Sequence, residues 1–259
     1  MPEAIEVEIY KKMAERASGQ KVTGVEIVDG NYLRGEGTEK YLKDEIVHKE
    51  VQQVRRHGKL LLLDFDTSTL GIRFGMTGRL VVNGVPAIEA LLYTTNLLDT
   101  KYERFVLYFA NGLVLGVSDP RRFGNVELNP NEKKLGPDAY TIKSAHLIRA
   151  LSSSRATIKS QLLNQTKIAG IGNLLCDEVL WRSGISPKKE ASLLSKKQVE
   201  GLAKVIRNTI KNLEERGGSH LGDLQKNRQK NGVCPIEKSP LLCENVGGRT
   251  TWWCPAHQV

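Results

Sequence analysis

The hydrophobic pattern along the 259 residues changes from helical spacing to short β-rich runs and back to helical spacing, and this order limits the folds open to the chain. After a helical stretch over residues 3–17, apolar residues come in short β-rich runs at 22–28, 51–65, 70–82 and 105–117. Beyond a polar segment at 129–137, helical spacing returns at 145–151, 158–163, 172–183 and 195–215. Strands followed by helices predict an α+β fold with a β-sandwich or barrel first and helices second.

Positive charge is concentrated in the helical half. The formal net charge is +9, and residues 131–259 hold 21 of the 38 basic but only 11 of the 29 acidic residues. This asymmetry favours a polyanionic partner such as nucleic acid. No run approaches the roughly 18 apolar residues of a membrane span, and the acidic start lacks the features of a secretory signal. We therefore expect a cytoplasmic protein, associated with the nucleoid if it is bacterial.

The chain begins Met1-Pro2-Glu3, which suggests an unusual nucleophile. Removal of Met1 would expose Pro2 as a secondary amine with a pKa of roughly 7.7 to 8.0. Such an amine can attack a sugar C1′ and leave an iminium, and Glu3 can move protons beside it. Proline followed by an acidic residue is also a common helix opening, so these residues alone leave both readings open.

The most specific segment is residues 168–187, IAGIGNLLCDEVLWRSGISP. Gly170 and Gly172 permit close backbone approach to a phosphate, and amides at a helix N terminus bind anions. Asn173 can donate a hydrogen bond, whereas Gly184 and Pro187 end the helix. The segment predicts a phosphate-binding helical turn.

This segment resembles the helix-two-turn-helix (H2TH) element of the formamidopyrimidine-DNA glycosylase and endonuclease VIII family. The start also resembles the family's Pro-Glu-Leu-Pro-Glu-Val-Glu, with Pro2, Glu3, Glu6, Val7 and Glu8 retained. The resemblance implies an N-terminal β-sandwich with a leading helix, a C-terminal H2TH domain and a terminal zinc-ribbon hairpin. It also implies a Schiff-base nucleophile at Pro2, a proton shuttle at Glu3 and a supporting carboxylate at Glu6.

By the same resemblance, several residues contact damaged double-stranded DNA. The phosphate contacts are expected at Lys59, which also belongs to the catalytic set, and at Lys159, Asn173 and Arg249. Met76, Arg121 and Phe123 are expected to fill the gap left when the damaged nucleotide is everted, as base chemistry in a duplex requires. Arg122 is expected either to share this role or to reach a phosphate. Without the resemblance, Met76 would be read as a core residue.

The family's zinc ribbon aligns with Cys234, Glu237, Cys254 and His257, where the usual pattern has two Cys-x-x-Cys pairs. The resemblance therefore implies one structural Zn²⁺, although a carboxylate in such a ribbon is unusual. Cys243 lies nearby and is an alternative ligand. A zinc-free hairpin that is held together by Trp252 and Trp253 also fits the sequence.

A shortened segment bears on the substrate, because only 15 residues separate Gly218 from Cys234. The family's loop over everted 8-oxoguanine lies here, so we expect weaker activity on 8-oxoguanine than on ring-opened purines. The resemblance implies a monomeric bifunctional DNA glycosylase and AP lyase of the formamidopyrimidine type. An endonuclease VIII-like pyrimidine-lesion glycosylase and a non-catalytic damaged-DNA-binding module are the alternatives. The predicted domains are residues 1–129, a linker at 130–145, the H2TH domain at 146–227 and the ribbon at 228–259.

Overall fold

A computed structural model describes residues 2–35, 38–88, 91 and 99–259. The chain divides into two compact units. The first comprises Met1–Pro2 and Glu6–Glu132, and the second comprises Glu3–Ile5 and Lys133–Val259. The sequence predicts a finer division, with separate linker and ribbon, and that division stays a prediction.

The first unit contains two five-stranded sheets. Their strands are β1 (Val22–Ile27), β2 (Leu33–Arg34), β3 (Gln53–His57), β4 (Leu60–Asp64), β5 (Thr69–Arg73), β6 (Arg79–Val82), β7 (Val85–Pro86), β8 (Glu103–Phe109), β9 (Val114–Ser118) and β10 (Asn125–Leu128). The orders are β1-β8-β9-β6-β7 and β2-β10-β5-β4-β3. Neighbouring strands run antiparallel, apart from the parallel pair β2 and β10.

One hydrophobic core joins both sheets. Leu61 and Ile72 of the second sheet and Leu107 and Val117 of the first are all fully or almost fully buried in it. The leading helix α1 (Ala4–Ala14) adds side chains such as Tyr10 to the same core. Two sheets that share one core form a β-sandwich, which confirms that part of the predicted fold.

A short helix, α2 (Glu39–Ile46), is an element of this unit that the sequence analysis did not predict, as are the short strands β2, β7 and β10. The Thr38 hydroxyl accepts a hydrogen bond from the Tyr41 amide at 3.2 Å and caps the helix. Leu42 and Ile46 lie four residues apart and are both buried. Two buried apolar residues in an eight-residue segment give a periodic signal too weak to distinguish a helix from a loop.

The second unit is helical, as predicted, with a terminal hairpin. Its helices are α3 (Ser144–Leu151), α4 (Ile158–Leu163), α5 (Asn173–Arg182) and α6 (Lys196–Arg216), and the hairpin consists of β11 (Leu242–Val246) and β12 (Arg249–Trp253). Ser195 and Gln198 form a capping box at the start of α6. Gly217, at a φ of 104°, ends it in the left-handed conformation that glycine adopts most readily.

Helix α5 is buried along nearly its whole length and anchors the C-terminal segment. Trp181 of α5 packs in a small apolar cluster with Leu224, Cys234, Leu241 and Cys254. A helix that is buried on every side belongs to the centre of its domain. Among the residues that the structure describes, no helix is long and apolar enough to cross a membrane.

Candidate active site and nucleic-acid interface

The first turn of α5 binds a carboxylate that belongs to the chain itself. The amides of Gly172 and Leu174 each donate to Glu3 at 2.8 Å, and the Leu175 amide donates at 3.1 Å. Glu3 is fully buried, and the Ala4 amide donates to the Gly170 carbonyl at 3.0 Å. Because a helix N terminus carries partial positive charge, it stabilises this carboxylate.

This arrangement corrects one sequence-based expectation. The amides that follow Gly170 and Gly172 were expected to bind a DNA phosphate, but in the described structure they bind Glu3. Gly172 is needed there because a Cβ would lie 2.3 Å from the Glu3 Cδ atom. The helix N terminus therefore positions Glu3, the residue that follows Pro2 in the chain. Pro2 is itself buried.

Helix α1 carries further buried polar groups inside the first unit. Glu6 and Tyr10 are both fully buried, and Arg79 is about as well buried at 2% exposed. Burial raises the pKa of Tyr10 well above its ordinary value, and the nearby charge of Glu6 raises it further. Burial also lowers the pKa of Arg79. The sequence analysis did not single out Tyr10 or Arg79, because one polar residue among apolar ones has no periodic signature.

Lys59 lies in the turn between β3 and β4 and is half-buried. Gly58 precedes it with a φ of 59°, a conformation that favours glycine. Arg56 donates to the Gly58 carbonyl and to the Glu8 carboxylate, both at 2.8 Å. Arg56 therefore ties the turn to α1, a positioning role that the sequence analysis missed.

The two loops that carry the expected gap-filling residues are organised by Asp119. This buried carboxylate accepts from the Thr77 hydroxyl at 2.6 Å and from the Gly124 amide at 2.8 Å. Met76 is half-buried in the first loop, whereas Arg121 and Phe123 are exposed in the second. The guanidinium of Arg121 lies 4.7 Å from the centre of the Phe123 ring.

Two details of these loops follow from their close approach. A Cβ on Gly75 would lie 2.4 Å from the backbone carbon of Phe123, so only glycine allows the two loops to touch. Arg122 adopts a φ of 57° and its Nε lies 3.0 Å from Asp29. In the described structure Arg122 thus pairs with a carboxylate although it is exposed, whereas Arg121 and Phe123 contact each other.

The expected phosphate contacts of the second unit differ in their exposure. Arg249 is exposed at the start of β12, next to the Gly247-Gly248 turn. Asn173 is half-buried, and its side-chain amide donates to the Thr250 carbonyl at 3.0 Å. Lys159 is fully buried, and its Nζ lies 2.5 Å from Asp177. A lysine so placed has no surface to offer a phosphate, so its expected role needs a different explanation.

The shortened segment that follows α6 is bonded to α5. The amides of Asp223 and Leu224 both donate to the Glu178 carboxylate at 3.0 Å. A Cβ on Gly222 would lie 2.5 Å from the Glu178 Oε2 atom. Arg228 donates to Asp177 at 2.9 Å. Residues 222–224 and Arg228 of this segment are therefore packed against α5.

The side chains that align with a zinc ribbon bond to neighbouring groups of the protein. The His257 Nε2 lies 3.0 Å from the Trp181 carbonyl, and its Nδ1 lies 3.3 Å from Glu237. Cys234 accepts a hydrogen bond from the Trp181 ring at 3.4 Å, and Cys254 lies 3.1 Å from the Ser239 hydroxyl. No cluster of three or more metal-binding side chains occurs among the described residues. Both imidazole nitrogens are engaged, so this donor set does not fit a tetrahedral zinc site.

Comparison with known proteins agrees with this geometry. Residues 1–126 match the formamidopyrimidine-DNA glycosylase N-terminal domain, and residues 135–223 match the formamidopyrimidine-DNA glycosylase H2TH domain. A formamidopyrimidine-DNA glycosylase of Polynucleobacter necessarius is 32% identical over 285 residues and covers 98% of both chains. One of Arabidopsis thaliana is also 32% identical, over 100% of this chain and 71% of its own.

Solved structures give the same result. The Lactococcus lactis Fpg protein in complex with a Fapy-dG-containing DNA matches with a TM-score of 0.82 and 27% identity, over 99% of each chain. The LlFpg protein in complex with a THF-DNA and an inhibitor matches with a TM-score of 0.83 and 27% identity, over 100% of each chain.

The fold and these matches define a DNA glycosylase of base excision repair that acts on damaged DNA. More closely, the chain belongs to the formamidopyrimidine-DNA glycosylase family. AP lyase activity and a C-terminal zinc finger are typical of this family.

Proposed function

We propose that this chain excises ring-opened purines from double-stranded DNA and then nicks the strand at the resulting abasic site. The observation that supports this best is the buried Glu3 carboxylate, which three amides at the start of α5 hold directly beside Pro2. General acid–base catalysis requires a carboxylate at a fixed position next to the nucleophile.

In the proposed reaction, removal of Met1 frees the Pro2 amine, which attacks C1′ of the damaged nucleotide. The base leaves with the electron pair of the glycosidic bond and takes a proton from solvent. Glu3 accepts the proton that the amine loses and returns it to the ribose ring oxygen as the ring opens to an iminium. The iminium acidifies the 2′ hydrogen, and loss of that proton expels the 3′ phosphate by elimination.

The DNA contacts are proposed on exposure and position. Lys59 sits in a tight turn that Arg56 anchors, and Arg249 is exposed beside the hairpin turn, so both can meet phosphates. Asn173 lies in the first turn of α5. Lys and Arg contacts to phosphate supply most of the affinity for DNA. The Asn173 amide adds a positioning hydrogen bond.

Met76, Arg121 and Phe123 are proposed to occupy the space that the everted nucleotide leaves. Phe123 is 53% exposed, so its ring is accessible to a DNA partner. An exposed aromatic wedge beside a cation suits insertion between unstacked bases. Arg121 can then hydrogen-bond the orphaned partner base.

The lesion preference is proposed from the segment at 219–233. Because Glu178 and Asp177 bind this segment to α5, little chain remains to close over an everted purine. We expect ring-opened purines, which are the more labile, to be excised better than 8-oxoguanine. The same missing lid favours an endonuclease VIII-like activity on oxidised pyrimidines as the second candidate.

Borohydride trapping tests the mechanism and the substrate class together. Native protein is mixed with duplexes that carry an abasic site, ring-opened guanine, 8-oxoguanine or dihydrouracil. We expect a covalent adduct on the first two, mapped by mass spectrometry to the N-terminal peptide, and loss of base excision in Pro2→Gly. Strong adducts on dihydrouracil alone would favour the pyrimidine activity. No adduct on any duplex, with DNA still bound, would overturn the enzyme assignment in favour of a damaged-DNA-binding module.

For the ribbon, we propose that hydrogen bonds replace the zinc that is typical of the family. The Glu237–His257 pair and the Trp181–Cys234 bond support this. The sequence-based alternative is one Zn²⁺ bound by Cys234, Glu237, Cys254 and His257. Metal analysis of purified protein separates them: well below one equivalent supports the zinc-free ribbon. One equivalent that is lost in Cys234→Ser would restore the zinc site.

Three remaining proposals follow from the substrate. Because its proposed substrate is damaged DNA, we propose that the protein acts in the cytoplasm, at the nucleoid if it is bacterial. We propose that it works as a monomer, which light scattering of the free protein and of its DNA complex would test. We also keep the sequence-based division of the C-terminal half into an H2TH domain and a ribbon.

A further inference from the structure

Asp177, in the middle of α5, joins three other parts of the second unit. This carboxylate is 2% exposed. Lys159 of α4 donates to it at 2.5 Å, Arg228 at 2.9 Å and the backbone amide of Trp252 in β12 at 3.3 Å. One buried carboxylate thus connects two helices, the segment after α6 and the terminal hairpin.

The hydrogen bonds between β12 and the side chains of α4 and α5 all lie on one edge of that strand. Thr250 and Trp252 are two residues apart, so their backbone groups face the same side in an antiparallel pair. The Thr250 carbonyl accepts from the Asn173 amide at 3.0 Å and from the Lys159 Nζ at 3.4 Å. Side chains of α4 and α5 therefore bind the free edge of the hairpin, as a neighbouring strand would.

The same contacts give Lys159 a purpose other than binding phosphate. Its side chain is fully buried, and its charge faces Asp177 and the Thr250 carbonyl. Removing one partner of a buried ion pair leaves an uncompensated charge, which is strongly unfavourable. The cluster of Asp177, Lys159 and Arg228 therefore fixes the position of β12 relative to α5.

Arg249 is the neighbour in β12 of the residues that α4 and α5 hold in position. It directly precedes Thr250 and is exposed. We propose that Asp177 is a positioning residue, which holds β12 through Lys159 and the Trp252 amide so that Arg249 meets the DNA backbone. This inference rests on the DNA-binding role proposed above for Arg249.

Asp177→Asn tests the positioning role of Asp177, and Asp64→Asn is the matched control. Asp64 is also a carboxylate with several partners, Arg55 and Thr69, and its loss raises the net charge by the same amount. Binding is measured on a duplex that contains a tetrahydrofuran abasic analogue, over a range of KCl concentrations. We expect Asp177→Asn to weaken binding by about 10-fold and to reduce the slope of log K against log salt by about 0.9. Asp64→Asn should bind like the native protein.

A double-mutant cycle with Arg249→Ala tests whether Asp177 acts through Arg249. If it does, adding Asp177→Asn to Arg249→Ala should weaken binding by no more than about 2-fold, because coupled residues are not additive. If Asp177→Asn weakens the binding of Arg249→Ala as much as it weakens the binding of the native protein, the two residues act independently and the inference is overturned. The single-turnover excision rate at saturating enzyme should change far less than the affinity.

Acrylamide quenching of tryptophan fluorescence measures the hairpin without DNA. We expect greater quenching in Asp177→Asn than in Asp64→Asn, because β12 carries Trp252 and Trp253. If Asp177→Asn does not fold, Lys159→Gln is the second variant, with the same quenching change and the same non-additivity expected. Native binding and native quenching in the folded variant would refute the positioning role. Native binding by Arg249→Ala would instead refute the proposed role of Arg249.

Discussion

Gly172→Ala is the substitution that most directly tests the link between α5 and the catalytic carboxylate. The φ of −115° at this position is open to alanine, so the backbone tolerates the change. The added Cβ would lie 2.3 Å from the Glu3 Cδ atom and 2.5 Å from its Oε1. Glu3 must therefore move, although the mutation does not change the identity of any catalytic residue.

The expected size of the effect follows from the bonds that this movement breaks. Glu3 accepts three amide hydrogen bonds, and each hydrogen bond to a charged group contributes about 1.5–3 kcal/mol. Losing two of the three would lower the free energy of unfolding by about 3 kcal/mol or more. A positioned proton shuttle contributes roughly 10²–10⁴-fold in rate, so we expect base excision to fall by at least about 100-fold.

The assay is single-turnover excision of ring-opened guanine, together with thermal melting and DNA binding. Gly201→Ala is the matched control, because a Cβ at that position in α6 meets nothing within 4 Å. This control should keep full activity and gain about 0.5–1 kcal/mol of stability. Native excision by Gly172→Ala, with an unchanged melting temperature, would refute the role of the α5 amides in positioning Glu3.

Other substitutions probe separate parts of the structure. Glu3→Gln should abolish excision but keep DNA binding, since it leaves the phosphate contacts in place. Full activity of this variant in a trapping assay would refute the proposed role of Glu3 as the proton shuttle. Asp119→Asn should weaken discrimination between lesion-containing and intact duplexes, because Asp119 bonds both loops; equal discrimination would contradict this. Lys59→Ala should weaken binding to all duplexes alike and reduce its salt dependence, measured by titration in KCl. The hydrogen bonds from Arg55 hold the pKa of Glu132 below its ordinary 4.5, so this pair stabilises the fold above that pH and ceases to do so as the pH falls through the lowered value. Glu132→Gln should therefore cost more stability at pH 7 than at an acidic pH below the lowered pKa of Glu132, as chemical denaturation over a range of pH would show.

The sequence alone was sufficient for features that depend on neighbouring residues. Periodicity predicted the change from strands to helices, and the bounds of α4 and α6 came out within a residue or so. The segment at 168–187 and the Pro2-Glu3 start together indicated the family, because their residues are close in the chain and specific. The β-rich run that the sequence predicted at 105–117 forms the antiparallel pair β8 and β9. Short α2 was missed because its helical pattern covers only two turns.

Only the tertiary structure decided which groups meet across the chain. Glu3 and Gly172 are 169 residues apart, so no local pattern could indicate that the α5 amides bind a side chain rather than a phosphate. The motif identified Lys159, but its complete burial against Asp177 depends on how α4, α5 and β12 pack. His257 kept its zinc-ribbon spacing, yet its ring nitrogens face Trp181 and Glu237. Spacing fixes which residues can approach one another, and packing fixes which atoms make the bond.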